Sequence, residues 1–282
     1  MPPAAVKPSF GRVALIGKTG SPEVEASLRE LRDFLRKRGC EVVTDAASAD
    51  LAIVIGGDGT MLTAARDLVP HRVPLVGVNL GRLGFMTDIG HDDMREGVGA
   101  ILDGRFSTEE RAVLDAEITR NGKSLLRTIA LNEAVVGKGS QGRLIEFDLS
   151  LDGEFVYTLR ADGMIVATPT GSTAYALSAQ GPILHPAVPA LALVPLNPHT
   201  LSARPVSVSD RCVIEIVLVR APDARAYFDG FGLAEMAQGD RLVLKRSANA
   251  ARFVHPPGYG YFVTLREKLR WSESIEKLKK PE

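Results

Sequence analysis

Residues 51–60 read LAIVIGGDGT. Five apolar residues in a row cannot form a strand with one wet face. They need cover on both sides, as in the middle of a parallel sheet. Two glycines follow at once, then Asp58, Gly59 and Thr60, and then a helical run to Leu68. Buried strand, glycine turn and helix is the unit from which open α/β sheets are built. Ligands bind such sheets at the carboxyl ends of the strands. The neighbouring text repeats the alternation. RVALIG (12–17) reads as a buried strand, and a helix is expected from Pro22, with Val24, Leu28, Leu31 and Leu35 on one face and Gly39 past its end. CEVV and PLVGVNL read as further strands, with another helix around 92–103.

Near Arg105 the pattern changes. Short β-rich runs follow, from AVLDAEITR to RLVLKR, separated by the turn pairs Asn121-Gly122, Asp152-Gly153, Asp162-Gly163, Asp229-Gly230 and Gly239-Asp240. The segment STAYALSAQG (172–181) breaks the run as a short helix. The expected fold is an α/β N-terminal domain with a parallel sheet over 1–105 and a β-rich C-terminal domain over 106–261. The amphipathic tail, 262–282, is expected to pack back on the first domain.

Charge narrows the function. Thirty-four Lys and Arg balance 34 Asp and Glu in the 282 residues, which argues against nucleic acid as a partner. Local basic groups remain free to take a phosphorylated small molecule. The two cysteines, Cys40 and Cys212, read as buried free thiols of a reducing compartment. MPPAAVKPSF has no apolar core of a secretory leader, and no run reaches the roughly 18 apolar residues of a membrane span. The expectation is a cytoplasmic protein with no membrane contact.

Asp58 is electrostatically odd. Gly56 and Gly57 leave backbone N–H groups open to phosphates, and the next helix points its positive end at the same place. A carboxylate there needs a task, such as a proton to accept or a metal to help hold. The alternative is that Asp58 or Thr60 caps the helix. Gly17-Lys18-Thr19 imitates the end of a Walker A loop, but the glycine required five positions earlier is Arg12. It reads as a turn whose Thr19 or Ser21 starts a helix, with Lys18 free to face a ligand. NLGRLGFMTD (79–88) is a second glycine loop, in which Arg82 offers a phosphate fork.

Three clusters complete the pattern. Asn132-Glu133 interrupts an apolar strand, either as an edge cap or to read ribose hydroxyls and base edges. Arg160 and Asp162 flank a turn, as a salt bridge or as ligand contacts. TPTGSTAYALS (168–178) crowds hydroxyls before a helix start, which suits a nucleotide.

Taken together, GGDGT (56–60), NLGRLGF (79–85), Asn132-Glu133, TPTGSTAY (168–175), GPILHP (181–186) and NPHTLSARP (197–205) resemble the NAD kinase family in order and spacing, over about residues 12–270. GGDGT by itself also occurs in diacylglycerol, sphingosine and phosphofructokinases; the combination is far more specific. The resemblance implies an NAD kinase and diacylglycerol kinase-like fold with the active site between its domains. It implies transfer of the terminal phosphoryl group of ATP, or of polyphosphate, to the 2′-hydroxyl of the adenosine ribose of NAD. Asp58 would be the catalytic residue, accepting that hydroxyl's proton. Gly56, Gly57, Gly59, Thr60, Arg82 and Phe85 would lie around the phosphates. Asn132 and Glu133 match contacts to the adenosine half, Asp162 to the nicotinamide half, and Arg143 a further dinucleotide contact. Thr170, Thr173, Ala174, Tyr175, Ala176, Leu177 and Ser178 match the wall around adenine and ribose.

The resemblance also implies Mg²⁺ carried on the donor's phosphates, without a dedicated protein cage, and a homodimer or homotetramer. Arg160 implies preference for NAD over NADH. One position departs from the family, since Phe231 follows Asp229-Gly230 where a glutamine is common. The rival functions are a lipid or sugar kinase sharing GGDGT, and a module that senses NAD(P) without turnover.

Overall fold

The computed structural model describes residues 9–18, 20–81 and 84–271. They group into two compact units, one of residues up to 110 together with those from 252 on, the other of residues 111–251.

The first unit begins β1 (Arg12–Gly17), α1 (Pro22–Lys37), β2 (Glu41–Val43), β3 (Leu51–Ile55), α2 (Asp58–Leu68), β4 (Leu75–Asn79), β5 (Ile89–Gly90) and α3 (Met94–Leu102). Its strands pair in parallel in the order β2-β1-β3-β4, with β5 against the end of β4. Every residue of β3 and β4 is buried. The continuous apolar run of β3 therefore reports a central strand covered on both faces. Helix α1 turns Val24, Leu31 and Leu35 into this core, with Leu28 packed at its margin. Pro22 opens the helix; Ser21 stands at its N-cap, but its hydroxyl makes no cap bond. Thr19 lies outside the described residues.

The second unit runs through β6 (Ser107–Arg120), β7 (Lys123–Ala130), β8 (Glu133–Lys138), β9 (Ile145–Leu151), β10 (Glu154–Ala161), β11 (Gly163–Ala167), the four-residue α4 (Tyr175–Ser178), β12 (Ala190–Leu196), β13 (Val206–Ser209), β14 (Ile214–Arg220), β15 (Ala224–Phe228) and β16 (Phe231–Met236) to β17 (Arg241–His255). One sheet has the order β13-β12-β11-β8-β15-β16; the strands of another follow β10-β9-β14-β17. All these pairings are antiparallel. The inward residues Phe147, Leu149, Met164, Val166, Ile214, Ile216, Phe228 and Leu244 belong to one apolar cluster. Ala176 of α4 joins a smaller cluster with Val135, Ile165 and Val194.

The chain division differs in two places from the sequence expectation. Residues 106–110 and 252–261 group with the first unit, not with the β-rich part. For 252–261 the cause is the end of β17, where Phe253 pairs in parallel with Leu75 and His255 is bound between two carboxylates of the first unit, Asp88 and Glu109. Helix α5 (Tyr261–Leu269) follows in the same unit with Leu265 buried, and residues 272–282 lie outside the described residues. Both cysteines are free; Cys40 is buried, which pushes its thiol up, whereas Cys212 is only partly covered.

Candidate active site

The glycine turn after β3 carries Asp58, and its carboxylate does not cap the helix. Gly57 occupies the N-cap of α2 and no side chain bonds there. The backbone N–H of Phe85 donates to Asp58 Oδ2 at 2.9 Å, and that of Met86 to Oδ1 at 3.0 Å. Each oxygen keeps a further lone pair for another partner. The loop that supplies these donors is itself tied down. Gly84 N–H donates to Thr87 Oγ1 at 2.9 Å, Asn79 Nδ2 donates to the same oxygen at 3.1 Å, and Gly81 N–H donates to Asn79 Oδ1 at 2.9 Å. A Cβ on Gly84 would overlap the Asp58 carboxylate, so only glycine lets the loop come this close. Arg82 lies outside the described residues.

Beside the turn is a cavity of about 390 Å³ lined by Lys18, Ser21, Glu23, Gly56, Gly57, Thr60 and Asn79 among others. Ser21 and Gly57 are the N-cap positions of α1 and α2, so two helix starts meet its wall. Two helix N-termini and a lysine suit a phosphate anion. Among the described residues no group of three or more His, Cys, Asp and Glu is placed to hold a metal ion. A Mg²⁺ ion bound chiefly by phosphates and water fits such a wall, and there it would neutralise the charge of the donor.

The second unit holds a separate cavity of about 420 Å³, lined by Glu133, Val135, Lys138, Asp162, Tyr175, Asn197 and Tyr227 among others. Asp162 is the single residue between β10 and β11. Lys138 Nζ lies 2.6 Å from its Oδ1, and Asn197 Nδ2 donates to Oδ2 at 2.9 Å. Burial works to raise the Asp162 carboxyl, but the bonds from Lys138 and Asn197 and the lysine's charge outweigh it and hold the group below its usual range. Glu133 is in the opposite situation. It is 6% exposed, its Oε2 has no hydrogen-bond partner among the described residues, and burial, helped by the charge of Asp229, pushes its carboxyl up to about 7.

The turn ahead of Glu133 is clamped from two sides. Thr168 N–H donates to Asn132 O at 2.9 Å, and Thr168 Oγ1 donates to Leu131 O at 2.5 Å. A Cβ on Gly171 would overlap the carbonyl of Asn132. On the other side, Asp229 accepts three backbone N–H bonds from residues 131–133.

The hydroxyls of Ser172 and Thr173 bond the backbone of their own segment. Ser172 Oγ donates to Pro169 O at 2.6 Å and accepts from Leu184 N–H, and Thr173 Oγ1 donates to Thr170 O at 3.1 Å. Of this segment, Tyr175 lines the cavity. Ser178 lines a neighbouring groove, while Thr170 and Ala176 are buried. Ala174 and Leu177 are partly covered. Arg143 and Arg160 are exposed and do not line the cavity; Arg160 faces Glu146 across the strand pair. Phe231 is 45% exposed, and the backbone of Gly230 borders the cavity instead. Sequence reasoning missed Lys138 and Tyr227. A lysine ending the apolar run NEAVVGK was the available signal for the first; Tyr227 gave none.

An amide-bound acid beside a lysine-lined cavity in one unit, and a ring- and acid-lined cavity in the other, suit a kinase that acts on nucleotides. The family model described as ATP-NAD kinase N-terminal domain matches residues 44–106, and that described as ATP-NAD kinase C-terminal domain matches 131–256. A protein named NAD kinase from Aromatoleum aromaticum is 54% identical over 285 residues, covering 94% of this chain and 95% of its own. Another from Azoarcus sp. is 53% identical, covering 93% and 97%. The chain belongs to the NAD kinase family. Among solved structures, a yeast NADH kinase complexed with NADH shares the fold, with a TM-score of 0.86 at 24% identity over 98% of this chain and 94% of its own. An NAD kinase from Archaeoglobus fulgidus in complex with ATP has a TM-score of 0.75 at 27% identity, over 92% and 98%.

Proposed function

We propose that this chain transfers the terminal phosphoryl group of ATP to the 2′-hydroxyl of the adenosine ribose of NAD, giving NADP. Asp58 accepts the proton of that hydroxyl. The observation that carries the reading is the grip of Phe85 and Met86 on the Asp58 carboxylate, which aims an acceptor beside the cavity without closing a helix end. Phosphoryl transfer asks the protein chiefly for positioning and for stabilisation of charge. Lys18, the helix starts and the turn of Gly56, Gly57, Gly59 and Thr60 serve the phosphates, although the N–H groups of Gly56 and Thr60 are bonded to Val78 O and Gly57 O; Asn132 and Glu133 serve the adenosine half, and Asp162 the nicotinamide half. A divalent cation, Mg²⁺, accompanies the donor and offsets its negative charge. The same reading takes the protein to be a cytoplasmic homodimer or homotetramer that handles small nucleotides and no nucleic acid. No helix of the described residues is long and apolar enough to cross a membrane.

One assay panel tests this. NAD or NADH is offered with ATP or polyphosphate, and NADP is read with an NADP-specific dehydrogenase. NADP from NAD and ATP is expected, with NADH the poorer acceptor because of Arg160. A lipid or sugar kinase gives no NADP. A sensing module binds NAD without turnover, and its binding survives Asp58→Asn with nothing catalytic to lose.

A further inference from the structure

Asp229 belongs to neither cavity wall, yet it carries a dense set of bonds. It is 5% exposed, in the two-residue turn between β15 and β16. Asp229 and Gly230 both have positive φ, 56° and 70°. Asn-Gly or Gly-Gly would make such a turn equally well without burying a charge. The carboxylate accepts from Leu131 N–H at 2.8 Å, Asn132 N–H at 2.7 Å and Glu133 N–H at 3.1 Å, and Asp229 N–H donates to Glu133 O at 2.9 Å. Three amide donors compensate the buried carboxylate. The product is a fixed negative charge directly behind Glu133.

Glu133 completes the argument. A buried carboxyl oxygen with no partner among the described residues calls for an explanation, and Glu133 borders a cavity. When two carboxyls are neighbours and one is held ionised by amides, a proton resides on the other. The remaining titratable groups around the cavity do not undo this. Lys138 is paired with Asp162, and Tyr175 and Tyr227 bring phenols. Burial and Asp229 together push the Glu133 carboxyl up to about 7, in agreement with the geometry.

We propose that Asp229 is a positioning residue that fixes the Asn132-Glu133 turn and keeps Glu133 in its acid form, so that the free carboxyl oxygen donates a hydrogen bond to an acceptor atom of the dinucleotide, a ring nitrogen or a sugar oxygen. This rests on the NAD kinase reading above and deepens it.

The test is NAD binding by calorimetry on the full chain, from about pH 5.5 to about pH 8.5, a range in which NAD itself does not titrate. Wild-type affinity falls as the pH rises through about 7, approaching tenfold per unit. Asp229→Asn keeps the turn's shape and removes the charge, so its fall begins at lower pH. Glu133→Gln carries no titrating proton, and its affinity becomes independent of pH. A pH-independent wild type, an Asp229→Asn profile lowered equally at all pH values, or a Glu133→Gln variant that keeps the wild-type slope overturns the proposal. If Asp229→Asn does not fold, the Glu133→Gln profile still decides. NADP production by the wild type at neutral pH is scored separately, so a failure of the kinase reading is distinguishable from a failure of this one.

Discussion

The two units solve one problem, holding a carboxyl group in place, in opposite ways. In the first, two backbone amides bind Asp58, the carboxylate proposed to accept the proton, and its oxygens keep lone pairs to spare. In the second, the amides bind a different carboxylate, Asp229, and its neighbour Glu133 has an oxygen with no hydrogen-bond partner among the described residues. On the proposed reading, backbone amides present one carboxyl group as proton acceptor and keep a second one as proton donor. What decides is whether they touch the group that faces the ligand or the one behind it.

The contrast is open to attack at four points. Asp58→Asn keeps the bond to one amide but removes the acceptor, and kcat should fall by about 10³-fold, while the NAD dissociation constant stays within about twofold. A comparable loss of binding would mean that Asp58 serves binding rather than proton transfer. Gly84→Ala pushes the loop off the carboxylate, and a fall in kcat of about 10²-fold is expected with NAD affinity retained. Steady-state kinetics with calorimetry separate the two effects. Gly171→Ala is the counterpart in the other unit. It pushes against the Asn132 carbonyl, and KM for NAD should rise by about 20-fold with kcat little changed. If either glycine variant shows the other's signature, the division of labour is wrong.

The smallest effect concerns stability. The folded-state carboxyl of Glu133 sits near 7 against an ordinary 4.5, so between these values the folded protein binds more protons than the unfolded chain. Stability therefore declines as pH rises through that window, by about 1–3 kcal/mol, and is unaffected by this group below it. Glu133→Gln removes the decline. Denaturant melts of ligand-free wild type and variant at about pH 5 and about pH 8 check this, the gap between them widening in the variant's favour at the higher value.

Much of the first unit was legible because its signals are local. The five apolar residues of β3 report burial on both faces, and the spacing of Val24, Leu31 and Leu35 reports the buried face of α1. Asp58 could be suspected from its glycines, but its partners lie 27 and 28 residues further on, and no local pattern names them. The grip of Asp229 on the Asn132 turn spans 96–98 residues and is equally invisible. Lys138 meets Asp162 only through the register that sets Gly137 beside Gly163. The hydroxyls of 168–173 show the reverse hazard. Read along the chain they resemble a ligand-binding patch, yet Ser172 and Thr173 direct theirs at carbonyls of their own loop, and Thr168 directs its hydroxyl at Leu131 O.

The loop that grips Asp58 runs on to Asp88, which lies 2.5 Å from the ring of His255, a residue stacked in turn on Tyr259. That histidine is made late. During synthesis on the ribosome the glycine turn emerges early, but its brace arrives only after all of residues 111–251 have been translated. A chain that stops short of His255 therefore presents Asp58 on a loop that lacks this brace.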